Sequence, residues 1–246
     1  MKILDWKGYN WITQERWGQI HPEKSISWYD DTAVEIDDNG FLILKTQNNP
    51  KYFEKLDTIS PIGSGLVSCQ NRFGYGYFSI EAILPKGPSL WPAFWMWAWE
   101  SWPPEIDVFE AYSNKRGSYF NWGKPHELFI GKFWRTKTNF WLKDSNDKHY
   151  DLGAKAHYWT WKNPSKHIME YSLLWLPDKI EIHYNGKTVR KITDPKILKQ
   201  FQNIKMNVII NNFVMDDILL KNFKPSEFII TDFQYIPMED LTGLKR

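Results

Sequence analysis

Three carboxylates stand close together in the run Glu105-Ile106-Asp107-Val108-Phe109-Glu110. Two carboxyl groups flanking one glycosidic bond can divide the work of breaking it. One is ionised and attacks the anomeric carbon; the other is protonated and delivers its proton to the leaving oxygen. Both must lie on the same side of the backbone. On a helix, at ~100° per residue, Glu105 and Glu110 would be roughly 140° apart, too far to flank one bond. On a regular strand, Glu105 and Asp107 share a face and Glu110 points to the other. A β-bulge at Val108 or Phe109 absorbs one residue and returns Glu110 to the face of its partners. Acids crowded this way repel one another, and the relief is for one to keep its proton, which yields an acid beside a base.

The elements that must position these acids begin upstream, in Leu90 to Trp102, where five tryptophans fall within twelve residues. Strand parity separates Trp91, Ala93, Trp95, Trp97 and Trp99 from Pro92, Phe94, Met96 and Ala98. Large aromatics fill cores, and Phe94, Met96 and Trp97 are expected to do so. Indoles near the acids can instead stack on the C–H faces of sugar rings, and Trp102, Trp91 and Trp99 are the candidates. Three acids could also mark a solvated edge, but Ile106, Val108 and Phe109 are strong strand formers and tryptophan crowding is unusual on an exposed edge.

The acid run, preceded by Trp91-Pro92-Ala93-Phe94-Trp95, closely resembles the catalytic strand of glycoside hydrolase family 16. The resemblance is continuous from Arg72 to Glu110. It implies that Glu105 is the nucleophile, Glu110 the general acid/base, and Asp107 a middle carboxylate that tunes the nucleophile. The six-residue spacing resembles the bulged form of laminarinases, agarases, porphyranases and κ-carrageenases rather than the shorter form of lichenases and xyloglucan-active relatives. Trp102 matches a family tryptophan beside the −1 sugar. Asn121, in Asn121-Trp122-Gly123, stands where many members carry histidine. Arg72, with Arg116 and Arg135, could serve sulfated sugars, and Glu110-Ala111-Tyr112 leans towards the agarase side. Asp232 matches an acidic position that in many relatives belongs to a calcium site, so a structural calcium is the one cofactor implied and none is required for catalysis.

Composition bounds the alternatives. The chain has 246 residues, 42% of them hydrophobic, enough for one large core, and a single catalytic domain over residues 1–246 is expected. With 31 basic and 29 acidic residues the net charge is +2, without the strong field of a nucleic-acid binder. The partner expected is a polysaccharide or oligosaccharide bound by a monomer. No apolar run approaches the roughly 20 residues of a membrane span, and Met1 to Trp6 lacks the hydrophobic region of a secretory signal, although action on polysaccharide implies an extracellular site. The single cysteine, Cys69, excludes an internal disulfide and reads as a small apolar residue. The six histidines show no metal spacing.

Turn signals punctuate the rest. Asp37-Asp38-Asn39-Gly40 reads as a hairpin turn between 33–36 and 41–45. Residues 46–64 read as a long loop, and the first thirty residues as an extended wrap without a definite element. Strands are expected at 66–70, 75–84, 91–99, 117–122, 167–175, 177–184, 205–211 and 228–236, with a short helix from Asp194-Pro195 to Phe201. Together these indicate an all-β chain, read as a concanavalin A-like jelly-roll sandwich of two antiparallel sheets with the acids on a concave face. The activity this supports is retaining endo-hydrolysis of a β-linked polysaccharide, a β-1,3-glucan or a red-algal galactan. A lectin-like jelly roll that binds glycan without cleaving it, and a transglycosylase, are the rivals.

Overall fold

The computed structural model describes the chain except for residues 22, 24, 25, 99, 114–118, 120–135, 154–161, 216–217 and 244–246. Among the described residues are seventeen strands: β1 (Ile3–Trp6), β2 (Tyr9–Ile12), β3 (Ser27–Tyr29), β4 (Val34–Ile36), β5 (Leu42–Phe53), β6 (Thr58–Ser64), β7 (Leu66–Cys69), β8 (Gly76–Ile83), β9 (Leu90–Trp97), β10 (Glu105–Glu110), β11 (Lys137–Lys143), β12 (His149–Asp151), β13 (Met169–Leu176), β14 (Lys179–Tyr184), β15 (Lys187–Ile192), β16 (Asn207–Val214) and β17 (Ser226–Pro237). One helical turn, α1 (Pro195–Leu198), is capped by the Asp194 side chain accepting from the Lys196 amide at 2.8 Å and continues as a 3₁₀ turn to Phe201.

The strands form two stacked sheets. One runs β1-β2-β7-β16-β9-β10-β11-β12 and carries the acids; the other runs β15-β14-β13-β8-β17-β5-β6-β3, with β4 added to β5. Pairing is antiparallel except for β3 with β6. The chain crosses between sheets at Gly65, the single residue between β6 and β7, where a Cβ would lie 2.6 Å from the Ala33 carbonyl oxygen and 2.8 Å from the Leu44 Cα. Only glycine fits so close a backbone approach.

Period-2 patterning sets the core between the layers. From the acid-bearing sheet, Phe94, Met96, Ile106, Phe140, Val208 and Ile210 point inward; from the other, Phe78, Ile80, Leu173, Ile182, Phe228 and Ile230 meet them, all fully buried. Each such side chain contributes roughly 1.5–3 kcal/mol by leaving water. Cys69 belongs to this layer, and burial pushes its thiol up to about 12, leaving it the small apolar residue expected.

Two regions differ from the sequence reading. The opening residues are not a bare wrap: β1 and β2 form a hairpin in which Leu4, Trp6 and Trp11 alternate inward, extending the acid-bearing sheet through β7. Residues 46–64 are largely a long hairpin of β5 and β6, with its irregularity between Asn48 and Lys51, where the turn formers Asn49 and Pro50 interrupt the ladder without ending it. The hairpin about Gly40 forms as expected, with Gly40 at φ 77°. The strand expected at 117–122 lies almost wholly outside the described residues, and the strand hydrogen-bonded beyond the acids is β11.

Candidate active site

Pairing on both sides of β10 shows how the acids come to share a face. Against β9, Glu105 pairs with Trp97 and Asp107 with Trp95, after which Phe109 pairs with Phe94 and Glu110 with Ala93. Val108 is therefore the extra residue. Against β11 the same slip appears: Asp107 opposes Asn139 and Glu110 opposes Lys137. Cross-strand partners share a face, and Trp97, Trp95 and Ala93 are alternate residues of one strand, so Glu105, Asp107 and Glu110 all project from the same side of the sheet. Val108 and Phe109 are both fully buried on the other side.

The opposite sheet braces this irregularity. The Val108 carbonyl accepts a hydrogen bond of 3.0 Å from the hydroxyl of Tyr184, a buried residue at the end of β14. A buried carbonyl left unpaired at a bulge would cost about 1–3 kcal/mol.

Each glutamate is held by an indole. Trp102 Nε1 donates to Glu105 Oε2 at 2.7 Å, and Trp91 Nε1 donates to Glu110 Oε1 at 3.0 Å. Tyr112 donates its hydroxyl to the same Glu110 oxygen at 2.6 Å and stacks on Trp91 with centroids 5.4 Å apart. Lys137 Nζ lies 4.7 Å from the centre of the Tyr112 ring. Both glutamates are half-buried, and Asp107 is 4% exposed. Trp102 is flanked by Trp141, the strand partner of Glu105, at 6.1 Å and by the edge of His149 at 4.7 Å. Half-exposed aromatics thus border the acids from three segments of chain.

Trp97 is buried, as expected, but not in the sandwich core. As the strand partner of Glu105 it faces the acid side, in a second cluster with Tyr29, Leu66 and Ile209 against which Trp17, Trp95 and Trp102 pack. Residues of the N-terminal segment cover it: Trp17 packs at 5.3 Å, and the Arg16 guanidinium lies 4.3 Å above its ring. Beside them Glu15 is 1% exposed, bridged through its backbone to Gly18. Burial pushes its carboxyl up to about 8. The nearby Ser68 hydroxyl, Arg16 amide and Arg16 guanidinium offset part of that rise, and the charge of Glu105 adds to it.

Of the other sequence candidates, Arg72 is ion-paired with Glu100 on the surface, while Trp99, Asn121, Arg116 and Arg135 lie outside the described residues. Asp232, the position matched to a calcium site, lies half-exposed on β17. Its carboxylate is ion-paired with Lys7 at 2.8 Å, and among the described residues no group of three or more acidic, histidine or cysteine side chains is placed to hold a metal. Sequence reasoning missed Glu15, Tyr112, Lys137 and Trp141. Only Tyr112 carried a signal, since it sits two residues after Glu110 and so shares its strand parity.

A two-layer jelly roll presenting clustered carboxylates among tryptophans on one sheet face is the architecture of a carbohydrate-active domain. The family model for glycosyl hydrolases family 16 matches residues 22–222, and the chain belongs to that family. Among relatives, it is 27% identical over 174 residues to the endo-1,3-1,4-beta-glycanase ExsH of Rhizobium meliloti (61% of this chain, 37% of that one). It is 32% identical over 113 residues to a beta-1,3-glucan-binding protein of Penaeus monodon (41% and 30%). The chain thus spans well under half the length of either. Among solved structures, LamA of Z. galactanivorans, crystallised with laminaritriose and laminaritetraose, superposes with a TM-score of 0.68 at 19% identity, covering 92% of this chain and 91% of that one.

Proposed function

We propose that this domain is a retaining endo-glycosidase that hydrolyses internal β-glycosidic bonds of a polysaccharide, with β-1,3-linked glucan as the leading substrate class and red-algal galactans as the other candidates. The observation that carries the reading is the bulge at Val108, which sets Glu110 on the face of Glu105 and Asp107. In the first step Glu105 attacks the anomeric carbon, the bond to the leaving oxygen breaks, and Glu110 passes its proton to that oxygen. In the second, water attacks the same carbon, Glu110 takes the water's proton, and Glu105 is released. Asp107, between them on the same face, adds negative field that favours the cationic transition state and discourages both neighbours from ionising together.

Support for glucan comes from the glycanase and glucan-binding names of the relatives and from the aromatic border at Trp102 and Trp141, which suits uncharged sugar faces. The test has two arms. Reducing-end release from laminarin, lichenan, agarose, porphyran and carrageenans identifies the polymer cleaved. On that polymer, Glu105→Gln is expected to lower turnover by at least about a thousandfold while leaving oligosaccharide binding in place. Undiminished turnover in that variant, or NMR showing inverted configuration in the first-formed product, would refute the assignment. The likeness to a beta-1,3-glucan-binding protein favours a second reading, glycan retention without cleavage, which predicts bound oligosaccharide and no new reducing ends after long incubation.

A further inference from the structure

We propose that Trp91 and Tyr112 form a two-donor clamp on a single oxygen of Glu110, so that Tyr112 is a positioning residue which fixes Oε1 as an acceptor and leaves Oε2 to carry the transferable proton. The inference rests on the reading of Glu110 as the acid/base.

Both donors converge on Oε1, Tyr112 at 2.6 Å and Trp91 at 3.0 Å. A carboxyl oxygen has two in-plane lone pairs, and with both accepting, no favourable position for hydrogen remains on it. The proton of the acid form is therefore confined to Oε2. In the first step the Oε2–H bond breaks, the leaving sugar oxygen gains the hydrogen, and the negative charge stays on a carboxylate already facing two donors. Hydrogen bonds to a charged acceptor are roughly twice as strong as neutral ones, so the clamp favours the product of proton donation over the acid and makes Glu110 the stronger acid.

The clamp is rigid because its parts hold one another. The Trp91 and Tyr112 rings are stacked with an interplanar angle of 26°, and Lys137, the strand partner of Glu110, sets its ammonium over the Tyr112 ring at 4.7 Å from its centre. That cation draws on the ring's π density and sharpens the hydroxyl as a donor. Burial and then the Glu110 charge hold the Tyr112 phenol far above its usual range, so it remains a donor at any working pH. Among the described residues, the charged and titratable groups bearing on Glu110 from the packed elements include Asp107 on its own strand, Lys137 on β11 and Tyr184 from the opposite sheet, and Tyr184 gives its hydroxyl to Val108. Trp91 thereby has a task at its indole edge that is separate from any sugar its ring meets.

The experiment is a carboxyl ¹³C NMR titration of the full chain labelled at glutamate, without substrate, with the Glu110 signal identified by its loss in Glu110→Gln. Tyr112→Phe keeps the stacked ring and deletes the donor, and is expected to raise the Glu110 midpoint by about one pH unit or more. Trp91→Phe is expected to raise it by less, as the longer and weaker donor, and decides the matter if Tyr112→Phe does not fold. On whichever polysaccharide is cleaved, the alkaline limb of kcat/KM should rise by the same amount, a movement that mere loss of packing would not produce. Midpoints within about 0.3 pH unit of the parent in the folded variants would overturn the clamp. The titration needs no turnover, so a parent protein that cleaves nothing would refute the proposed function and leave this result standing.

Discussion

Replacing Glu15 by Gln should stabilise the protein, by an amount that depends on pH in a way fixed by where Glu15 sits. The side chain is 1% exposed near Arg16 and Ser68, within the field of the Glu105 charge, and burial raises its carboxyl from an ordinary 4.5 to about 8. The folded state therefore holds the neutral acid, while the unfolded chain releases the proton above pH ~4.5. A raised folded value means that the parent loses stability as pH climbs from 4.5 to 8, at about 1.36 kcal/mol per pH unit. A glutamine of the same shape bears no such penalty. The variant should equal the parent near pH 4, exceed it by about 3 kcal/mol at pH 7, and level off at about 5 kcal/mol above pH 8. For a chain of this size, 3 kcal/mol is roughly 6–12 °C in Tm. Thermal unfolding of both proteins by calorimetry or circular dichroism between pH 4 and 9 reads this directly. Parallel Tm curves across that range would show that Glu15 is ionised or solvated in the fold, and the reasoning would fail.

Two further outcomes follow from other buried polar contacts. Tyr184→Phe removes the donor to the Val108 carbonyl and should cost about 1–3 kcal/mol. By loosening the bulge it should also lower kcat on the cleaved polysaccharide more than it raises KM; unaltered turnover would show that the bulge holds without its brace. Asp30, 2% exposed, accepts from the Thr32 amide and hydroxyl, from Gln47 at 2.8 Å and from Asn49 at 2.6 Å. Burial alone would raise its carboxyl, but these donors outweigh it and hold the group below its usual range. The stability it contributes is therefore present above the ordinary carboxylate range and is lost as pH falls through the lowered folded value. Asp30→Asn should be less stable at pH 7 and converge with the parent in strong acid; a constant gap in urea midpoints across that range would rule the charge out as the cause.

Much of this protein was legible without coordinates, because the signals concerned are local. A period of two in Tyr75 to Leu84 and in Phe228 to Ile236 reports strands half-buried against a second layer. The odd spacing of Glu110 from Glu105 and Asp107 can be reconciled with one face only by an extra residue. The slip lies at Val108, one of the two positions the spacing allowed. Where local signals compete, the reading failed: Asn48-Asn49-Pro50 has the composition of a loop, yet the ladder of β5 and β6 resumes beyond it because the partner strand continues. Likewise, bulk alone assigned Trp97 to the core between sheets, against a parity that groups it with Trp91 and Trp95, when it is the folded N-terminal segment that buries it on the acid face.

By itself, then, the sequence determined the class of fold, the bulged acid strand and the family resemblance, all carried by residues within a few positions of one another. Only the tertiary structure decided that Tyr184, 76 positions along the chain, braces the bulge, that Lys137 lies over Tyr112, and that Glu15 is buried within the field of the Glu105 charge. The physical reason is that alternation fixes which way a side chain points but not which strand comes to lie beside it. That choice belongs to sheet order, which is set by the burial of the whole core at once.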